Sequence, residues 1–232
     1  MKMTHIEIPP EFNRNARFLR SIPIEETGLH LIKLACQKTG ISDLSDKDIL
    51  DVGCGSRFTA TIINCDVPIK SYTGIEVAKK LVHYLSTNVV DSRFSFHRWN
   101  MYNFDYNKKG EKLTKDTPLP TPPGQKFDVV WMFSVITHFD PIDSENFFYV
   151  LRKYVKPDTR LLFSAYIDND IDFHQHVVQE EYDYSVSIDY YREDVLRKIL
   201  ADTGWRVDGF YPPEQYIQHY FVCSPDPNFS IS

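Results

Sequence analysis

Two glycines flank a cysteine in Asp51-Val52-Gly53-Cys54-Gly55, at the end of a short apolar run and just ahead of a helix-like stretch that starts near Phe58. Glycines at such a turn remove Cβ atoms, so a ligand can lie against the backbone. Glu76 stands 21 positions after Gly55, where the next apolar run ends. A carboxylate there suits the two hydroxyls of a ribose. Turn and carboxylate together point to a cofactor that contains a nucleoside. A nicotinamide-dinucleotide fingerprint would place a further glycine at position 58 for helix packing, and Phe58 stands there. An ordinary strand–helix turn would explain the two glycines alone, but it would leave Glu76 and the strand-like FDVV run as coincidences.

The elements that position these residues alternate. Residues 25–38 carry a helical apolar pattern ended by Gly40. Residues 49–52, 71–75, 93–99, 127–133 and 160–166 read as strands, and 77–85, 143–155 and 192–201 as helices. Alternation of this kind predicts an α/β fold with a doubly wound, mostly parallel sheet. The last two strands, 205–211 and 216–223, follow each other without a helix, so the seventh is expected to run antiparallel. Two stretches interrupt the pattern. Residues 104–125 are polar and proline-rich and read as a surface insertion. Residues 168–189 are acidic, hold two histidines, and read as a loop leaving a central strand, where open α/β sheets place ligands.

Composition narrows the class. Apolar residues are 42% of the 232, enough for a sizeable core. The net charge of −6 shows no basic footprint, so a nucleic-acid partner is not expected. Cys36, Cys54, Cys65 and Cys223 form no CxxC pair and match no zinc spacing, which suits free thiols in a reducing compartment. The start MKMTHIEIPPEF lacks a signal-peptide core, and no run approaches the ~20 apolar residues of a membrane span. A cytoplasmic protein without a membrane partner is expected. Its domain organisation reads as an N-terminal helical extension or lid over 1–45 and a catalytic domain over 46–232. A homodimer is left open.

On these residues the chain resembles the class I S-adenosylmethionine-dependent methyltransferases. The resemblance spans about residues 46–223 and rests on ILDVGCGS, GIE, FDVVWMFSVITHF and DYYREDVLRKILADTGWRV. It implies a Rossmann-like methyltransferase fold and S-adenosylmethionine as cofactor. Asp51 matches the acid that contacts the methionine end. Gly53, Cys54 and Gly55 match the cofactor-facing turn, and Glu76 the ribose-binding acid. Asn100 and Met101 match the residues that flank the adenine. Phe133 and Ser134 match those lining the methyl-transfer side. The chain departs from the family at Arg57, which stands where a third glycine is usual. The N-terminal segment with Phe12, Arg14, Arg17 and Phe18 corresponds to segments that close over the cofactor, and Arg14 is a candidate contact to its carboxylate.

Methyl transfer to an alcohol needs alignment, a dry site and a proton acceptor. His138, just past the fourth strand, is the first candidate base. His174 and His176 are further candidates, and Tyr166 could orient a substrate. Asp168, Asn169, Asp170, Asp172, His174 and His176 concentrate metal-ligand types within nine positions, so a divalent metal such as magnesium is weighed against a solvated acidic loop. Tyr182, Tyr184, Tyr190 and Tyr191 add rings on which a sugar could stack. The expected reaction is methyl transfer to a small-molecule acceptor, with a hydroxyl of a sugar or natural-product-like compound favoured. The alternatives are N-methylation of a small molecule and a non-catalytic S-adenosylmethionine-binding protein.

Overall fold

A computed structural model describes residues 2–13, 21–181, 184–214 and 217–231, with backbone alone for 179–181 and 184–186. Arg14, Arg17 and Phe18 therefore lie outside the described residues, as do Tyr182 and the side chain of Tyr184.

Period-two patterning dictates the central sheet. In β1 (Asp48–Val52), Leu50 and Val52 pack on one face, while Ile49 packs on the other. In β4 (Phe127–Met132), Val130 and Met132 join the first face, and Val129 and Trp131 the second. β5 (Val155–Ile167) divides the same way, with Leu161 and Phe163 opposite Leu162. Strands apolar on both faces must be covered on both, and helices do the covering. On one side lie α1 (Ile24–Thr39), α2 (Arg57–Asn64) and α3 (Lys79–Asn88). On the other lie α4 (Pro141–Arg152) and α5 (Glu193–Asp202). Each fully buried Leu, Ile or Phe in these layers contributes roughly 1.5–3 kcal/mol.

The main sheet runs β3-β2-β1-β4-β5-β9-β8 and has the seven strands expected, with β2 (Ser71–Glu76), β3 (Phe94–Arg98), β8 (Trp205–Tyr211) and β9 (His219–Pro225) completing it. All pairings from β3 to β5 are parallel, and β9 is antiparallel to both neighbours. Phe163 and Phe221 stack across the β5–β9 seam at 5.0 Å.

Three local readings are corrected. Residues 168–189 are not a simple loop. They hold an antiparallel hairpin, β6 (His174–Glu181) and β7 (Tyr184–Tyr191), so His174 and His176 sit on a strand. β7 runs parallel to the C-terminal end of β5, with Tyr166 beside Tyr190. The many acidic residues hid the β-branched pattern of Val177, Val178, Val186 and Ile188. Second, α4 starts at Pro141, because the Asp140 side chain accepts from Asp143 N at 2.8 Å and proline tolerates the first helical position. Third, α3 starts two residues late, because Glu76 Oε1 accepts from Ala78 N at 2.9 Å and holds Ala78 extended.

The insertion is less peripheral than its composition implies. Leu113 and Leu119 are buried in the main core, and Met101 pairs with Glu111 in a short bridge. Among the described residues, no helix is long and apolar enough to cross a membrane.

Candidate active site

β1 and β4 are neighbours, and the chain leaves their C-terminal ends toward opposite faces of the sheet. Ligands of open α/β sheets sit at such a switch point. A cavity of about 240 Å³ opens there.

Its floor is the glycine turn. Gly53 and Gly55 adopt φ of +65° and +53°, which L side chains rarely tolerate. Gly53 N and Cys54 N both donate to Ile75 O, at 2.8 and 3.1 Å. A Cβ on Gly53 would stand 2.7 Å from Val135 Cγ2, whereas one on Gly55 would meet open space. Arg57 opens α2 and lines the cavity, as does Cys54.

Two acids shape one wall. Glu76 is buried, accepting from Gly55 N at 3.3 Å and from Ala78 N at 2.9 Å. These backbone donors fix the carboxylate on the cavity wall. Asp51 is buried beside it and accepts from the Tyr72 hydroxyl. Burial pushes the Asp51 carboxyl up to about 8; the Tyr72 hydrogen bond opposes this, and the Glu76 charge adds to it. Ile75, Val77, Trp99 and Met101 supply an apolar stretch next to these acids. A turn without Cβ atoms, a fixed carboxylate for vicinal hydroxyls, an apolar slot for a purine and a second carboxyl for a cation form a donor set that fits S-adenosylmethionine.

The opposite wall comes from β4 and the 3-10 turn Ile136–His138. Phe133 packs on Phe58 and Tyr220, at 5.3 and 6.4 Å. Ser134 takes a left-handed φ of 58°, uncommon for a residue with a side chain. Its N–H donates to Ser164 Oγ at 2.8 Å, and its hydroxyl contacts the Gln218 amide. His138 Nδ1 lies 2.9 Å from the Ser187 carbonyl and 3.4 Å from an Asp105 carboxylate oxygen. Both oxygens only accept, so Nδ1 carries a proton. The Tyr106 ring meets His138 edge-on at 5.8 Å.

The cavity thus gathers Asp51, Gly53, Cys54, Gly55, Glu76, Met101, Phe133, Ser134 and His138. Other candidates lie elsewhere. Asn100 is not on its wall; its side-chain oxygen accepts from Arg98 at 2.7 Å and Asn107 at 3.2 Å. Tyr166 packs on Tyr190 at 5.1 Å. His174 Nε2 and His176 Nδ1 both bond one oxygen of buried Asp189, at 2.7 and 3.1 Å. Of the proposed metal donors, Asp168 accepts from Asp170 N and Asn169 from Glu193 N. Among the described residues, no three His, Cys, Asp or Glu side chains are grouped as metal ligands.

The sequence reading passed over Trp99, Tyr102, Asn103 and Tyr106, which all line the cavity, and Asp105, which reaches His138. A signal was present. Tyr102, Phe104 and Tyr106 alternate, a pattern a purely solvated insertion has no reason to hold.

Comparisons with known proteins agree with this geometry. Residues 29–208 match the methyltransferase-domain family. A glycopeptide N-methyltransferase, MtfA, solved in complex with S-adenosyl-L-methionine, superposes with a TM-score of 0.60 at 11% identity, covering 85% of this chain and 93% of that one. DesVI of Streptomyces venezuelae gives 0.61 at 13%, covering 95% and 100%. A S-adenosylmethionine-dependent methyltransferase from Clostridium acetobutylicum gives 0.55 at 12%, covering 90% and 95%. At these identities the structural likenesses speak for the fold. The family match takes in the glycine turn, Glu76, β4 and α5, and on that ground the chain belongs to the class I S-adenosylmethionine-dependent methyltransferases.

Proposed function

We propose that the cavity binds S-adenosylmethionine through Asp51, the Gly53–Gly55 turn and Glu76, and that a small-molecule hydroxyl is methylated on the His138 side. When bound, the cofactor supplies an electrophilic methyl on a sulfonium. Glu76 takes the ribose hydroxyls, because two backbone donors hold its carboxylate on the wall. Asp51 faces the cationic methionine end. Trp99, Met101 and Val77 cover the purine, and Phe133 and Ser134 line the transfer side. His138 receives the acceptor's proton. One observation carries the reading: His138 and Glu76 line a single cavity, and His138 Nδ1 is held by the Ser187 carbonyl.

Tyr102 and Tyr106 line the same cavity and remain 43% and 46% exposed. Exposed rings at a cavity mouth suit a sugar or another cyclic acceptor. A second reading, methylation of an amine, is favoured by the Asp105 carboxylate beside His138 and by the likeness to a glycopeptide N-methyltransferase.

Calorimetric titration with S-adenosylmethionine and S-adenosylhomocysteine tests the cofactor site. Glu76→Ala should weaken both by about tenfold or more, roughly 1.4 kcal/mol. Absence of binding by the intact chain would sink the assignment. Methyl transfer is then sought on cyclic alcohols and amines, with and without magnesium. Cofactor affinity with no turnover on any acceptor would favour a non-catalytic carrier.

A further inference from the structure

Asp105 belongs to the insertion, 33 residues before His138 and outside the ILDVGCGS, GIE, FDVVWMFSVITHF and DYYREDVLRKILADTGWRV segments. Asn103 builds the turn that presents it, accepting at one side-chain oxygen from Asp105 N and Tyr106 N, at 3.0 and 2.9 Å. Asn107 N closes the same turn on Asn103 O at 3.0 Å. The Asp105 side chain, only 10% exposed, then reaches across to β7 and the 3-10 turn. One of its oxygens accepts from Ser187 Oγ at 2.8 Å and Ser187 N at 3.3 Å, and lies 3.4 Å from His138 Nδ1. Ser187 O in turn accepts a hydrogen bond from His138 Nδ1 at 2.9 Å. Three segments therefore close on one imidazole, with Tyr106 packed on its edge.

Burying a carboxylate costs free energy unless charge or hydrogen bonds compensate it. Ser187 supplies two donors. A protonated His138 would supply the opposite charge. We propose that Asp105 is a positioning residue for the transfer reaction: it holds Ser187 and His138 in register and stabilises the imidazolium that forms when His138 takes the acceptor's proton. This rests on the reading of His138 as base. In that step the acceptor oxygen bonds the methyl carbon, and the carbon–sulfur electron pair stays on sulfur. The acceptor O–H bond breaks, and its proton passes to Nε2. Nδ1 keeps its proton toward Ser187 and Asp105. Of the carboxylates on the neighbouring segments, Asp189 is bonded by His174 and His176, Asp140 accepts from Asp143 N at the start of α4, and Asp143 feels the charges of Asp140, Asp189 and Lys112.

The first test needs no acceptor. Long-range proton–nitrogen spectra of the full chain, titrated with pH, report each histidine ring, and His138→Gln identifies the His138 signals. Wild type should show the Nδ1–H tautomer. In Asp105→Asn the pH at which His138 protonates should fall by roughly one unit, the effect of removing an opposite charge within about 4–6 Å. Ser187→Ala should move it less. An unchanged His138 titration in Asp105→Asn, with S-adenosylhomocysteine affinity retained as proof of folding, would overturn the proposal. If Asp105→Asn does not fold, Asp105→Glu and Ser187→Ala carry the same test. With an acceptor in hand, Asp105→Asn should lower kcat about tenfold, leave the cofactor KM unchanged and shift the acid limb of the profile; Asp105→Glu should restore part of the rate. Full turnover by His138→Gln would remove the base reading alone, while the titration would still report whether Asp105 couples to the ring.

Discussion

The two sides of the cavity are built differently. On the cofactor side, Asp51, the glycine turn and Glu76 fall on adjacent strands, and their bonds run between partners such as Gly55 and Glu76, 21 residues apart. On the acceptor side, Asp105 and Ser187 are 82 residues apart, and His138 and Ser187 are 49 apart. The first side rests on a sheet with apolar layers on both faces. On the second, an insertion, a hairpin and a short 3-10 turn are anchored in the main core by Leu113, Leu119, Tyr191 and Ile136, but they meet at His138 through polar contacts. The contrast teaches that cofactor geometry is part of the fold's core, whereas acceptor geometry is an added assembly. Damage to each should have a distinct signature.

The largest expected effect is in the core under the cofactor side. Trp131 is fully buried and packs on Phe58 at 5.1 Å. Trp131→Ala should cost about 3–5 kcal/mol in denaturant unfolding. A loss near zero would break the claim that this layer supports the turn. Next comes the acceptor side: His138→Gln should lower kcat/KM by roughly 10²–10⁴ while S-adenosylhomocysteine binds as before. A matching loss of cofactor affinity would show that the two sides are not separable. Glu76→Ala should do the reverse, lowering affinity about tenfold or more without lowering the unfolding free energy comparably.

Asp51 sharpens the comparison through pH. Its carboxyl ionises near 4 in an unfolded chain and at about 8 in the folded one. Across that window the native state holds a proton that the unfolded state has lost. Stability should therefore fall as pH rises from about 4 to about 8 and level off above. Asp51→Asn should remove that part of the slope, as read from unfolding at several pH values. A cation bound beside Asp51 would also draw off its proton, so cofactor titration near pH 7 in buffers of different ionisation heat should show proton release that Asp51→Asn lacks. Equal heats in both proteins would argue that Asp51 does not face the cation. The smallest effect is expected on the outer hairpin: Val178, 49% exposed, should tolerate Val178→Thr within about 0.5 kcal/mol, and a larger loss would mean that this edge is covered in solution.

The sequence by itself determined the alternating elements, the seven-stranded main sheet with its antiparallel strand, the glycine turn and Glu76. Each is written in neighbours: periodicity of two or 3.6, a turn that demands positive φ, an acid at a strand end. His138 was legible too, because it follows a strand that the pattern marks. What only the tertiary structure decided is which side chains meet. Asn100 was expected at the cavity, yet its wall is formed by Trp99 and Met101 on either side of it. His174 and His176 turn to Asp189 rather than to the cavity, because two residues two positions apart on a strand share a face: Asp189 lies opposite His176 and diagonal to His174, within reach of both. Asp105 looked like one charge in a polar insertion, and its meaning depends on Ser187 and His138. No local pattern encodes such a meeting, since it depends on how distant segments pack rather than on the spacing of neighbours along the chain.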